Sequence, residues 1–234
     1  MIRVALVGAL GRMGKEIIKV LMEDPKFELS YAVVLEKEDS DPDFMVTSLL
    51  DIDPRKVDVL IDFSVLQNFE KTIHWCVQQK IPFVSGTTGI QNQHFELLKN
   101  AANTIPVLWA PNMSLGVALV NEMIKSFRVV KGFDFQVEDF HHNKKVDAPS
   151  GTAKHLQNTL EDAIGRPLPD VVAVRGGGIF GIHKIWAMSD EETIMVEHTA
   201  LNRTVFARGA VKAAGWIKDQ SPGQYHMKDV LGLQ

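Results

Sequence analysis

Disulfide chemistry is the first thing this chain lacks. Its one cysteine, Cys76, has no partner for an intrachain bond, which points to a reducing compartment, the cytoplasm. Cys76 sits in Ile73-His74-Trp75-Cys76-Val77-Gln78-Gln79, an apolar helical patch, where it reads as a small buried hydrophobe rather than a nucleophile. An excess of positive charge is lacking too. The formal charge of −4, with no basic run and no basic amphipathic helix, argues against a general nucleic-acid surface. No apolar run is long enough to span a bilayer, so no membrane partner is expected. Ile2 to Val7 already reads as structure, so no signal peptide is expected before it. Repeats and low-complexity segments are absent as well. What remains is 234 residues, 45% of them hydrophobic and 23% charged, enough for one large domain or two small ones.

The apolar run Ile2 to Val7 suits a parallel strand buried on both faces. It runs into Gly8-Ala9-Leu10-Gly11-Arg12-Met13-Gly14, and then into a helix carrying Met13, Ile17, Val20 and Leu21, ended by Asp24-Pro25. Strand, glycine turn and helix is the context in which a glycine pattern points to a dinucleotide. Gly8 permits the tight turn, Gly11 lets backbone approach a pyrophosphate, and Gly14 allows close helix–strand packing. The spacing is GxxGxxG, with Leu10 where a second glycine is common. A second strand, Phe27 to Leu35, precedes an acidic loop. There Glu36 stands about twenty residues past the glycines, where a ribose-binding acid is expected. Lys37 beside it could meet a 2′-phosphate; the other reading is a solvated charged loop, with the strand ending at Val33 or Val34.

Further buried strands are expected at Val57 to Phe63, Ile81 to Ser85 and Ile105 to Trp109, with a helix through Phe69, Ile73, Cys76 and Val77. Strands alternating with helices predict a doubly wound parallel sheet, whose ligands bind off the carboxyl ends of its strands. Gly86-Thr87-Thr88-Gly89 and Ala110-Pro111-Asn112-Met113-Ser114 both fall at such ends. Leu115 to Phe127 reads as a helix bridging into a second domain. There Phe133 to Asp139, Val171 to Arg175, Ile182 to Met188 and Thr193 to Thr199 alternate apolar and polar residues, with a hairpin turn at Ser189 to Glu192. An open mixed sheet follows, with an apolar face (Ile185, Ala187, Ile194, Val196) expected to support self-association. A helix from Thr204 to Ile217 and the tail Asp229 to Leu233 are expected to rejoin the first domain.

The most informative stretch is Val137 to Thr152, VEDFHHNKKVDAPSGT. A strand delivers His141, His142, Lys144 and Lys145 to a loop feeding a helix that carries Ala153, Leu156, Leu160, Ala163 and Ile164. Ser150 or Thr152 can cap that helix, and its N-terminus offers unpaired N–H groups and a positive dipole end, a seat for carboxylate or phosphate. Imidazole exchanges a proton near neutral pH and lysine is a compact cation. The pattern points to an anionic-substrate pocket with acid chemistry. A metal site is the first rival, since His141, His142, His155, His183 and His198 are potential ligands. Two lysines beside the paired histidines would repel a cation, so no metal is expected.

Taken in order, GxxGRMG, GTTG, APNMSLGV, HHNKKVDAPSGTA and NRTVFARGAVKAAGWI resemble the 4-hydroxy-tetrahydrodipicolinate reductase (dihydrodipicolinate reductase) family, from Val4 to Leu233. The resemblance implies an α/β chain: a Rossmann-like doubly wound parallel sheet formed by 1–113 and 203–234, and a smaller α+β substrate and tetramerisation domain with an open mixed sheet at 114–202. It implies NADH or NADPH as cofactor, and a small dicarboxylate cyclic imine, reduced in diaminopimelate and lysine synthesis, as substrate. It also implies a cytoplasmic homotetramer. Gly8, Ala9, Leu10, Gly11, Arg12 and Met13 would cradle the pyrophosphate, with Glu36 and Lys37 at the ribose. Gly86, Thr87, Thr88, Ala110, Pro111, Asn112 and Met113 would line the nicotinamide side, and Arg203 matches a position near the cofactor cleft. His141 and Lys145 match the proton-donor pair, while His142, Ser150, Gly151 and Thr152 would hold substrate carboxylate. Two other readings compete: a nicotinamide oxidoreductase of sugars or amino acids, which would carry a lysine soon after GTTG, and a non-enzymatic NAD(P) sensor, which leaves HHNKKVDAPSGT unexplained.

Overall fold

The structure is a computed structural model that describes residues 1–233. Two compact units make up the chain: Met1–Met113 with the chain from Phe206 onward, and Ser114–Val205. The first begins with β1 (Ile2–Val7), α1 (Arg12–Glu23), β2 (Phe27–Val33), β3 (Met45–Val46), β4 (Val59–Asp62), α2 (Leu66–Gln79), β5 (Phe83–Ser85), α3 (Asn92–Ala101) and β6 (Pro106–Trp109). The second holds α4 (Leu115–Ile124), β7 (Asp134–His141), α5 (Gly151–Ile164), β8 (Val172–Arg175), β9 (Gly181–Met188) and β10 (Thr193–Ala200). Then α6 (Thr204–Ile217), β11 (Gly223–Tyr225) and α7 (Met227–Val230) close the chain.

In the first unit the sheet runs β11-β6-β5-β4-β1-β2-β3, every pair parallel. β1 lies between β2 and β4, so the strand order reverses there and a crevice opens at the carboxyl ends. Val4, Ala5 and Leu6 are fully buried, which is why β1 reads as an unbroken apolar run rather than an alternation. Ile17, Val20 and Leu21 of α1 are buried too, each side chain worth about 1.5–3 kcal/mol. Gly14 of α1 makes the close approach possible: a Cβ there would collide with the Gly8 and Ala9 carbonyl oxygens.

The second strand stops short of Leu35. The chain turns away after Val34, whose N–H donates to the Val46 carbonyl at 2.9 Å, and Leu35 is 90% exposed. Two elements have no clear signature in the sequence pattern. α3 starts at a turn in which the Gln91 N–H donates to His94 Nδ1 at 2.9 Å, and β11 is too short to alternate. The bridging helix is also shorter than its apolar pattern: α4 ends at Ile124 and tightens into a 3₁₀ segment, Lys125–Val130.

The second unit is a mixed sheet, β10-β9-β7-β8, with β8 parallel to β7 and the other pairs antiparallel. α5 lays Ala153, Leu156, Leu160 and Ile164 into one core with Phe135, Val137, Ile185 and Ala187, joined by Val120, Ile124 and Phe127. This covers most of the expected association face, although Ile194 stays 38% exposed. Ile185 and Ala187 are fully buried, and Val196 packs against the same core. Period-2 alternation separates two faces but does not say which one a helix will cover. The opposite set points away from α5, with Val172, Val174 and Met195 exposed at 47, 38 and 43%.

Candidate active site

In the first unit the rim is built from three strand exits. Gly8 leaves β1 with φ of +82°, a left-handed backbone that favours glycine, and a Cβ there would strike the Phe63 carbonyl. Gly11 is the N-cap of α1 and brings no side chain, so the first N–H groups of the helix face outward without a side-chain cap or an acidic neighbour. An uncapped helix N-terminus of this kind can seat an anion. Ala9 is buried, Leu10 is 51% exposed, and Arg12 lies on the exposed side of the first turn. Glu36 and Lys37 are both exposed in the loop after β2.

The β5 exit is tied to the end of β4 by a residue the motifs do not include. Asp62, at the end of β4, is fully buried and takes donors from three residues. Oδ1 accepts from the Ser64 hydroxyl at 2.6 Å and N–H at 3.0 Å, and Oδ2 from the Thr87 hydroxyl at 2.8 Å and the Ser85 hydroxyl at 3.0 Å. Burial pushes its carboxyl above the usual value, against the pull of these donors. Trp109 on β6 completes the brace, its indole N–H donating to the Thr87 carbonyl at 2.8 Å. Ala110 and Met113 are buried behind the loop, Pro111 is exposed and Asn112 half-buried, while Thr88 is exposed beside Thr87. Gly86 has no room for a side chain, since a Cβ would meet the Phe63 ring.

In the second unit the alternation of β7 sends Asp139 and His141 toward the start of α5. Ser150, rather than Thr152, caps that helix: its Oγ accepts from the Ala153 N–H at 3.1 Å. The same hydroxyl donates to Asp139 Oδ1 at 2.8 Å, and the Ser150 N–H donates to Oδ2 at 2.8 Å. Arg175, at the end of β8, donates through Nη2 to Asp139 Oδ2 at 2.9 Å and to the Asp147 carbonyl at 2.7 Å. His141 Nδ1 stands 2.9 Å from Asp139 Oδ1, an ion-pair distance without the alignment of a hydrogen bond. His183 Nε2 comes within 3.5 Å of the same oxygen. Lys145 Nζ lies 2.8 Å from Asp147 Oδ1. His142 follows His141 half-buried, its Nδ1 without a hydrogen-bond partner among the described residues. Gly151 is exposed at the first turn of α5, Thr152 half-buried beside it. Arg203 lies with its guanidinium 5.8 Å from the Phe180 ring centre.

Electrostatics separate the groups. The donors on Asp139 hold its carboxyl below the usual range although burial works the other way. Burial pushes the His141 imidazole down, with Asp139 opposing and Lys145 and Arg175 adding to the shift. His183 is pushed down to about 4, again mainly by burial. Ligand atoms of Asp139, His141 and His183 lie within 4.8 Å of one another, close enough for a cation. The carboxylate is already taken by Ser150 and Arg175, and a guanidinium 2.9 Å away repels a metal. The cluster fits protons and anions better. Asp139 lies in the stretch from Val137 to Thr152 without an assigned role there, His183 enters the sequence reading only as a potential metal ligand, and Arg175 and Asp62 belong to no motif. One signal was there, an acid at an inward position of an alternating strand, two residues before His141.

Comparison with known proteins places nearly the whole chain in one family. Residues 2–113 match the family described as dihydrodipicolinate reductase, N-terminus, and residues 116–231 match dihydrodipicolinate reductase, C-terminus. A 4-hydroxy-tetrahydrodipicolinate reductase from Bdellovibrio bacteriovorus is 49% identical over 231 residues, covering 98% of this chain and 96% of its own. One from Campylobacter fetus is 40% identical over 254 residues, all of both chains. Among solved structures, a dipicolinate-bound dihydrodipicolinate reductase from Paenisporosarcina superposes with a TM-score of 0.82 at 20% identity, covering 97% of each chain. A diaminopimelate dehydrogenase of C. glutamicum gives 0.61 at 14% identity, over 97% of this chain and 92% of that one.

Proposed function

The chain belongs to the dihydrodipicolinate reductase family, and on that premise we propose how its residues divide the work. The reaction is the nicotinamide-dependent reduction of 4-hydroxy-tetrahydrodipicolinate to tetrahydrodipicolinate, a step of diaminopimelate and lysine synthesis. In net terms the ring gains a hydride and a proton, and the 4-hydroxyl leaves as water.

The first unit holds the nucleotide. Gly8 to Met13 take the pyrophosphate at the N-terminus of α1, where Gly8 and Gly14 let the turn pack closely: an added Cβ would strike the Phe63 carbonyl at one and the Gly8 and Ala9 carbonyls at the other. Glu36 and Lys37 meet the adenosine ribose, and choose between NADH and NADPH. Gly86 to Thr88 and Ala110 to Met113 line the nicotinamide side, steadied by the Asp62 brace; Arg203, which falls within Ser114–Val205, is kept as a nucleotide contact on motif position alone. When bound, the nicotinamide supplies the hydride.

The second unit binds the dicarboxylate and handles the proton. Ser150, Gly151 and Thr152 present N–H groups at the start of α5 to one carboxylate, with His142 beside them. Lys145 and His141 supply the acid as negative charge develops on the ring. His141 is held down by burial, so the neutral imidazole prevails near neutral pH until substrate carboxylate arrives to favour its charged form. The observation that carries this reading is the convergence of His141, the Ser150 cap and Arg175 on Asp139. Self-association to a homotetramer is assigned to the open sheet face with Val172, Val174 and Met195. The buried cysteine fits the cytoplasm.

The test is loss of nicotinamide absorbance with substrate made in situ from pyruvate and aspartate semialdehyde by the preceding synthase. Rapid oxidation of NADH or NADPH is expected, and their ratio reports how Glu36 and Lys37 are used. Nucleotide binding without oxidation would reject the assignment in favour of a sensor.

A further inference from the structure

Asp139 has no part in the chemistry assigned above, yet the acid group and the carboxylate seat meet on it. Its place follows from the strand: Phe135, Val137, Asp139 and His141 share the face of β7 that α5 covers, and the first two fill the core. Asp139 therefore arrives, fully buried, at the N-terminus of α5. We propose that Asp139 is the positioning residue of this site: its carboxylate favours the imidazolium form of His141 and joins that ring to the Ser150 end of α5, while Arg175 moderates its charge.

The geometry supports both halves. Oδ1 receives the Ser150 hydroxyl at 2.8 Å and stands 2.9 Å from His141 Nδ1, so one oxygen serves the helix cap and the imidazole together. Oδ2 receives the Ser150 N–H at 2.8 Å and Arg175 Nη2 at 2.9 Å. Arg175 also grips the Asp147 carbonyl at 2.7 Å, which fixes the loop that carries Lys145. On its far side the His141 ring lies against Gly181 of β9, where a Cβ would stand 3.0 Å from Nε2. A side chain there would push the ring off Asp139. The charged groups acting on His141 are Asp139 on its own strand, Lys145 and Asp147 on the loop, and Arg175 on β8. From β9, His183 packs its ring edge-on at 5.4 Å, with His198 of β10 stacked behind it at 6.1 Å. Asp139 is the nearest carboxylate of this set and the first of the charges to favour imidazolium.

This inference rests on His141 taking part in the acid chemistry, so the test separates the two. The full-length protein would carry carbon-13 at histidine Cε1, with His141 assigned by its loss in His141→Gln, and be titrated by NMR. Asp139→Asn removes the charge and keeps the shape: the His141 midpoint is expected to fall, and turnover to fall by about tenfold. Arg175→Met removes an opposing cation, and the His141 midpoint is expected to rise. For Asp139→Asn a merely structural role predicts the opposite, because loosening the site rehydrates His141 and raises its midpoint. An unchanged or raised midpoint in Asp139→Asn overturns the proposal. Should that variant fail to fold, an unchanged or lowered midpoint in Arg175→Met does the same. Wild-type turnover in His141→Gln would instead reject the acid role of His141, while the titration still decides whether Asp139 controls the ring.

Discussion

The Thr87 hydroxyl, two residues beyond β5, donates to Asp62 at the end of β4 across 2.8 Å. Two strand exits are thereby fastened through one buried carboxylate that meets Ser64 and Ser85 as well. Asp62→Asn would turn an amide NH2 group toward these donors. A loss of about 1–3 kcal/mol is expected, seen as a lower urea midpoint at unchanged slope. Weaker nucleotide binding should accompany it; wild-type values for both would remove Asp62 from the brace.

Gly14→Ala tests the cradle from the packing side. The new methyl would press on the Gly8 and Ala9 carbonyl oxygens, which are backbone and cannot swing aside. Overpacking of about 1–3 kcal/mol, together with weakened NADH and NADPH binding by fluorescence titration, is the expected result. Gly151→Ala is its control in the other unit, since nothing lies within 4 Å of the position.

Lys145→Ala should lower turnover by about 10²–10⁴-fold, the range of a lost proton donor. Nucleotide affinity should stay near wild type, because Lys145 and its partner Asp147 lie in the second unit. Unchanged turnover would take Lys145 out of the mechanism.

Acid stability should be governed by the buried histidines. Burial lowers His183 from 6.5 to about 4 in the folded chain. Between those values the unfolded chain binds the proton and the folded chain does not, so stability falls as pH falls through that window. His141 and His198 are lowered too and act in the same direction. The His183 part is on the order of 3 kcal/mol. Urea melts across the window should show a shallower slope of stability against pH for His183→Gln; equal slopes would refute the assignment.

Met195→Lys probes the open sheet face. Met195 is 43% exposed beside Trp186, and a charge there should shift the assembly to smaller species in light scattering after size exclusion. Ala187→Lys should instead unfold the second unit, because Ala187 lies in its core. A Met195→Lys protein of unchanged mass would place the association surface elsewhere.

By itself the sequence determined the parallel sheet, the glycine turn and the order of the motifs. Each is a local matter: β1 is an apolar run because both its faces are buried, and Gly8 and Gly14 are legible because nothing larger fits. The stretch from His141 to Thr152 was legible for a similar reason, since strand, loop and helix start follow one another in the chain. Tertiary structure decided the rest. Ile185 and Ala187 turned inward and Met195 outward because α5 lies over one face of the sheet, a choice that alternation leaves open. Asp139, Arg175 and His183 come from three strands, and Asp62, Ser85 and Thr87 from two strand exits, so no spacing along the chain announces either cluster. Only folding brings a carboxylate to donors far along the chain, and burial and those donors together set its charge.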